Sequence, residues 1–133
     1  MKKTRFCAIF IVIAIILLIS SFAIEDRASD QLSRYSVDAE YNSGKINVTV
    51  YIIGTLTATE VGCESIQLYE KIGSSWSLTE SLDEFDANMA VNSRTYLHTH
   101  SFDAKSGAEY KVDVTIFAEN AEGRDTRSFT RYI

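Results

Sequence analysis

The sequence predicts an all-β fold of about seven strands in two antiparallel sheets packed face to face. Three observations predict it. First, apolar residues recur with a period of two: Ile46, Val48, Val50 and Ile52 alternate with Asn47, Thr49, Tyr51 and Ile53. Tyr110, Val112, Val114, Ile116 and Ala118 likewise alternate with Lys111, Asp113, Thr115, Phe117 and Glu119. Second, the chain has no proline, and its six glycines punctuate such runs. Third, no stretch after residue 24 carries a capped 3.6-residue period.

The elements follow in order. Met1–Arg5 is basic, and Phe6 to Ile19 is an unbroken apolar run, so the chain opens with a hydrophobic targeting helix. Ser21 and Ala23 supply the small residues of a cleavage site, which makes residues 1–23 a signal peptide. The competing reading is an uncleaved membrane anchor over 6–24, a charge-free stretch just long enough to span a bilayer. The basic N-terminus would then stay inside, so both readings put the rest of the chain outside the cytoplasm, secreted or held at the outer face of the membrane. A short linker over 24–33 precedes a β domain over 34–133.

The expected strands cover 34–41, 45–53, 64–72, 76–82, 93–103, 109–119 and 124–132. β-Branched and aromatic residues dominate them, as a pleated surface favours. Gly73-Ser74-Ser75 forms a hairpin with Trp76 opening the return strand, and 120–123 joins the last two strands. The acidic stretch 82–88 suits one helical turn. Seven short strands with turns at this spacing suit an immunoglobulin-like or fibronectin-III-like sandwich.

Charge and cysteine content exclude some functions. The targeting segment holds Lys2, Lys3 and Arg5, which leaves 10 Lys and Arg against 18 Asp and Glu, a net of −8. Nucleic acids and anionic lipid surfaces call for a basic face, and here the basic residues are scattered singly among acids. Membrane contact is therefore expected only through an uncleaved N-terminal segment. Cys7 lies in the targeting run, so Cys63 is the one thiol of the exported part and has no intrachain partner there. It reads as a small, part-buried hydrophobe beside a strand start, with an intermolecular disulfide or a reactive thiol as the alternative.

Two resemblances add to this reading. Gly107-x-x-Tyr110-x-Val112-x-Val114, followed by Ala118, Asn120 and Gly123, resembles the last hairpin of a fibronectin type III domain. Nearly the whole chain is similar to a family of small exported proteins of Gram-positive bacteria that carry a domain of unknown function. The residues that carry this likeness are the signal, Gly62–Glu70, Gly107–Lys111, Ala118 and Gly123–Arg127. It implies export and a compact β domain, and it implies no activity or site.

No catalytic motif is present, so the chain is expected not to be an enzyme and to need no cofactor or metal. His98 and His100, two apart on one strand face, could chelate a metal ion, which makes a small metal-dependent enzyme one alternative. No third ligand is evident. Glu80, Asp83, Glu84, Asp86 and Asn88 gather oxygen ligands without the spacing of a calcium loop. Asn47-Val48-Thr49 fits a glycan acceptor but lies mid-strand.

The remaining candidate is a surface. If Ile66, Leu68, Val112 and Val114 face the core, Tyr69 and Phe117 face outward. The last strand has two registers, and the one chosen buries Thr126, Ser128, Thr130 and Tyr132 and turns Phe129 outward. The other would desolvate Asp125, Arg127 and Arg131. Tyr69, Phe117, Phe129 and Arg127 then form an outer face suited to an extracellular protein or carbohydrate, as a binding or interaction module. A structural or envelope-stress role without a specific ligand is the other alternative.

Overall fold

The computed structural model describes residues 31–133. The targeting segment, in either reading, lies outside the described residues, as does most of the expected linker. Strand β1 (Leu32–Asn42) begins two residues earlier than expected, with Leu32 already part of the core, so the end of the linker belongs to the fold.

β1, β2 (Lys45–Gly54) and β6 (Thr95–Asp103) form one antiparallel sheet in the order β1-β2-β6. The other sheet contains β3 (Glu60–Ile72), β4 (Ser75–Asp83), β7 (Tyr110–Asn120) and β8 (Gly123–Tyr132) in the order β4-β3-β7-β8. The two-residue β5 (Ala90–Val91) pairs with the start of β3. The expected strands thus stand with small changes of boundary, and a short eighth is added. The stretch 82–88 makes no helix: Asp86 N–H bonds to Asp83 C=O and Met89 N–H to Asp86 C=O, closing two successive turns.

Local chemistry explains these elements. The hairpin between β1 and β2 turns through Ser43 and Gly44, both at positive φ, the geometry whose twist matches the flanking strands. Gly62 has a different task. It lies within β3, where an added Cβ would come within 2.3 Å of the Met89 carbonyl oxygen. Its bare backbone lets β5 lie close, with Cys63 N–H bonded to Met89 C=O at 2.7 Å.

Both sheets contribute to one core. Ile46, Val48, Val50 and Ile52 of β2 meet Ile66 and Leu68 of β3 and Val112, Val114 and Ile116 of β7, all essentially without solvent exposure. Burial at this scale is the main favourable term of folding.

The last strand corrects the expected register. Asp125, Arg127, Phe129 and Arg131 face the other sheet, while Thr126, Ser128, Thr130 and Tyr132 face outward. The expected penalty for desolvating three charges does not arise, because β1 passes beside β8. Asp125 Oδ2 accepts the Gln31 backbone N–H at 2.7 Å, and Arg131 Nε donates to the Val37 carbonyl at 2.9 Å. Arg127 stays half-exposed at the edge, where Nη1 donates to the Thr126 carbonyl. Phe129 packs on the core and on Tyr35, ring centroids 5.6 Å apart. Charges on an inward face are tolerable where each has a partner or reaches solvent.

Candidate functional site: the outer face of the larger sheet

The outer face of the β4-β3-β7-β8 sheet has two ends that differ in chemistry. Phe117, near the end of β7, faces outward as the period predicts, yet it is fully buried. The guanidinium of Arg124, its neighbour on β8, lies 3.9 Å from the ring centroid. Arg124 is saturated in turn: Nε bonds to Glu119 at 2.9 Å, Nη2 to Glu84 at 2.8 Å, and Nη1 is 3.6 Å from Glu64. Those carboxylates raise the guanidinium above its ordinary range, the Glu84 bond most, against the opposing effect of burial. Glu119 is lowered, chiefly by its bond to Arg124, and its neighbour Glu60 is raised by burial and by a hydrogen bond to Glu119. Phe117 is therefore a sealed structural contact and leaves the candidate surface.

The opposite end is open. Tyr69, Lys111 and Tyr132 lie side by side across β3, β7 and β8, with Leu78 of β4 completing the row. One pair further along, Trp76 stands opposite Lys71. Trp76 and Tyr132 come from the two edge strands and reach toward each other until their centroids are 5.9 Å apart, the planes at 53°. Lys111 Nζ sits 4.5 Å from the centroid of Tyr69 and 5.4 Å from that of Trp76. Lys71 Nζ lies 5.9 Å from Trp76 and pairs with Glu109 at 3.3 Å. Among the described residues Lys111 has no carboxylate partner, since Asp113 accepts the Thr130 hydroxyl instead. Tyr132 is 71% exposed and Leu78 51% exposed. A groove of about 440 Å³ runs here, lined by Lys71, Trp76, Glu109, Tyr110, Tyr132 and Ile133.

Of the expected surface, only Tyr69 lies in this cluster, half-buried, its hydroxyl donating to Gln67 Oε1 at 3.1 Å. Phe117 is sealed, Phe129 faces the core, and Arg127 lies on the inward parity of β8. Trp76 and Tyr132 are the residues that sequence reasoning missed. The structure shortens the expected loop Gly73-Ser74-Ser75 to a two-residue turn at Gly73-Ser74, which pairs Trp76 with Lys71 in place of Ile72 and so puts it on the face of Tyr69.

His98 and His100 do share a face, and it is the inner one of β6. His100 is buried, and its Nε2 lies 2.7 Å from the Tyr96 hydroxyl. That hydroxyl donates to the Asn88 carbonyl at 2.7 Å, and the Cys63 thiol approaches it at 3.8 Å. A phenol has one proton to give. With that proton on Asn88, the Nε2 of His100 carries its own hydrogen and donates it. Burial lowers the His100 imidazole below its ordinary value, with His98 adding to the effect, and burial pushes the Cys63 thiol up to about 12. The cluster is thus a satisfied hydrogen-bond knot that ties the 84–91 segment to β6. Among the described residues, no three His, Cys, Asp or Glu side chains are placed to hold a metal ion.

No family model matches the chain. No curated protein matches it either. Among solved structures it is similar to a superoxide reductase in the oxidised state, at 13% identity over 77% of this chain and 90% of that one, with a TM-score of 0.41. That neighbour's name is that of an enzyme, and the expectation that this chain is not an enzyme is not retained. At such identity and TM-score the likeness assigns no activity, substrate or site.

Proposed function

We propose that the chain is an exported binding module that contacts an extracellular protein or carbohydrate through the open end of its larger sheet. The observation that carries this reading is the cluster of Trp76, Tyr69 and Tyr132 around Lys111, an ammonium without a carboxylate partner among the described residues. Large rings with one solvent-facing side supply contact area at low entropic cost, and they recur at the centres of binding surfaces. The strand order β1-β2-β6 against β4-β3-β7-β8 supports an immunoglobulin-like or fibronectin-III-like sandwich. The basic start and apolar run of residues 1–23 support export, by cleavage or as an anchor.

The test is retention of cell-envelope polysaccharide and secreted-protein fractions on the immobilised full-length chain, beside a folded Tyr69→Ala, Trp76→Ala, Tyr132→Ala variant. Loss of retention in the variant supports the reading. Equal retention by both moves the binding surface elsewhere, and no retention by either overturns the reading.

A further inference from the structure

The open end of the sheet also carries information about the chemistry of its ligand. We propose, resting on the binding reading above, that the ligand is an anionic polysaccharide, with sugar faces laid on Trp76 and Tyr132 and an acidic substituent paired with Lys111.

The contrast between two cations on one face supports this. Arg124 lies over an aromatic ring and is neutralised by bonds to Glu84 and Glu119, with Glu64 beside it. Lys111 also lies over aromatic rings, and among the described residues no carboxylate reaches it. Its nearest acidic neighbours on the face are engaged: Asp113 with Thr130, and Glu109 with Lys71. The chain is acidic as a whole, at −5, so the complementarity to an anion is local to Lys111 and its neighbour Lys71. Lys71 adds a second ammonium at the rim of the same groove, released whenever its 3.3 Å pair with Glu109 opens.

Shape selects sugars over an extended peptide. An added strand could pair only at the outer edges of β4 and β8, because β3 and β7, which carry Tyr69 and Lys111, are each paired on both sides. What it offers is ring faces, ammonium groups and an open groove of about 440 Å³ lined by Lys71, Trp76 and Tyr132, with Lys111 close to Trp76 beside it. The apolar C–H face of a pyranose matches a ring, and its acidic group matches the lysine.

Trp76 is the protein's single tryptophan, so its fluorescence reports on this groove directly. The full-length chain in mild detergent is titrated with oligogalacturonate and its methyl ester, with phosphorylated and plain dextran, and with polyglutamate. A saturable change with oligogalacturonate or phosphorylated dextran is expected, about tenfold weaker for the uncharged counterpart. It should weaken as salt is raised, and which acid responds separates a carboxylate from a phosphate ligand. Lys111→Met should lose about the same factor while unfolding at the wild-type midpoint, and Lys111→Arg should restore it.

Equal responses to charged and uncharged glycans, or undiminished binding by Lys111→Met, would overturn the proposal and leave the binding reading standing. Polyglutamate binding as tightly as the glycans would overturn it in favour of an acidic peptide. No response to either anionic glycan would also overturn it. The retention assay with the triple variant then decides separately whether the face binds anything.

Discussion

The two ends of the larger sheet use the same pair of groups, a cation over an aromatic ring, to opposite effect. At the Phe117 end the ring is sealed and the cation saturated. At the Trp76 end the rings are part-exposed and no carboxylate among the described residues pairs with Lys111. About six residues of β7 separate them, roughly 20 Å along the strand. The sealed end holds a loop in place from two sides. Arg124 grips Glu84 from the outer face, and Tyr96 grips Asn88 from within. Among the described residues nothing comparable closes the open end. A cation–aromatic pair therefore marks a contact surface only where the cation has hydrogen-bonding capacity left over.

Breaking the sealed end should have the largest effect. Arg124→Met keeps an apolar stem over Phe117 but leaves Glu64, Glu84 and Glu119 facing one another without a counter-charge. With the side chain about a quarter exposed, solvent screens part of that repulsion. Loss of about 3 kcal/mol in urea unfolding is expected, from the lost hydrogen bonds and the stranded charge together. A loss below about 0.5 kcal/mol would mean that the carboxylates relax freely into water, and the distinction between the two ends would fail.

Tyr96→Phe tests the inner grip and should cost about 2 kcal/mol, because one hydroxyl serves three partners. Its removal strands a part-buried carbonyl and a buried imidazole N–H. Amide exchange should show where that loss falls: protection should drop across 84–92 and hold in β7. Uniform loss over the whole domain would show that the hydroxyl supports the core at large, not the loop.

Legibility divided along the same line. Strand positions were readable because the alternation in β2, β3 and β7 is apolar against polar, and burying one parity settles each face. In β8 both parities are mostly polar, so the pattern could not choose, and the deciding partners, the Gln31 N–H just before β1 and the Val37 carbonyl within it, lie 94 residues away in sequence. The outward parity of Phe117 was likewise readable. Its burial was not, because Arg124, Glu84 and Glu64 meet over it only once three strands and a loop are assembled. Trp76 was missed by a single register: the expected three-residue loop would set it opposite Ile72, and the two-residue turn found sets it opposite Lys71, on the face of Tyr69.

A smaller effect sharpens the account of the inner knot through pH. His100 faces the Tyr96 hydroxyl and His98, with the Cys63 thiol beyond the phenol. Its imidazole lies below the ordinary value of 6.5, so the folded state favours the neutral form. Well above pH 6.5 both folded and unfolded chains are neutral at this position, and the full stability is present. As pH falls below 6.5 the unfolded chain takes up the proton first, and stability declines until the folded-state value is passed. His100→Gln should remove that part of the acid slope in urea midpoints measured between pH 7.5 and 5. An unchanged slope would assign it to the carboxylates around Arg124.

The smallest expected effect on stability is at the open end, and there the smallness is the informative result. Lys111→Met removes a charge that no carboxylate answers within the described residues and keeps the stem that lies along Tyr69 and Trp76. A change within about 0.5 kcal/mol is expected, since Lys111 is a half-buried surface position outside caps, core and ion-pair networks, and such positions seldom give more. Loss of 1 kcal/mol or more would mean that Lys111 is structural cement for the rings, as Arg124 is for Phe117, and the two ends would then be versions of one device. A neutral result with wild-type Trp76 emission would mean that the fold does not need this ammonium where it stands. The cation at the open end would then be stabilised only by what arrives from outside, while the cation at the sealed end is stabilised by the chain itself.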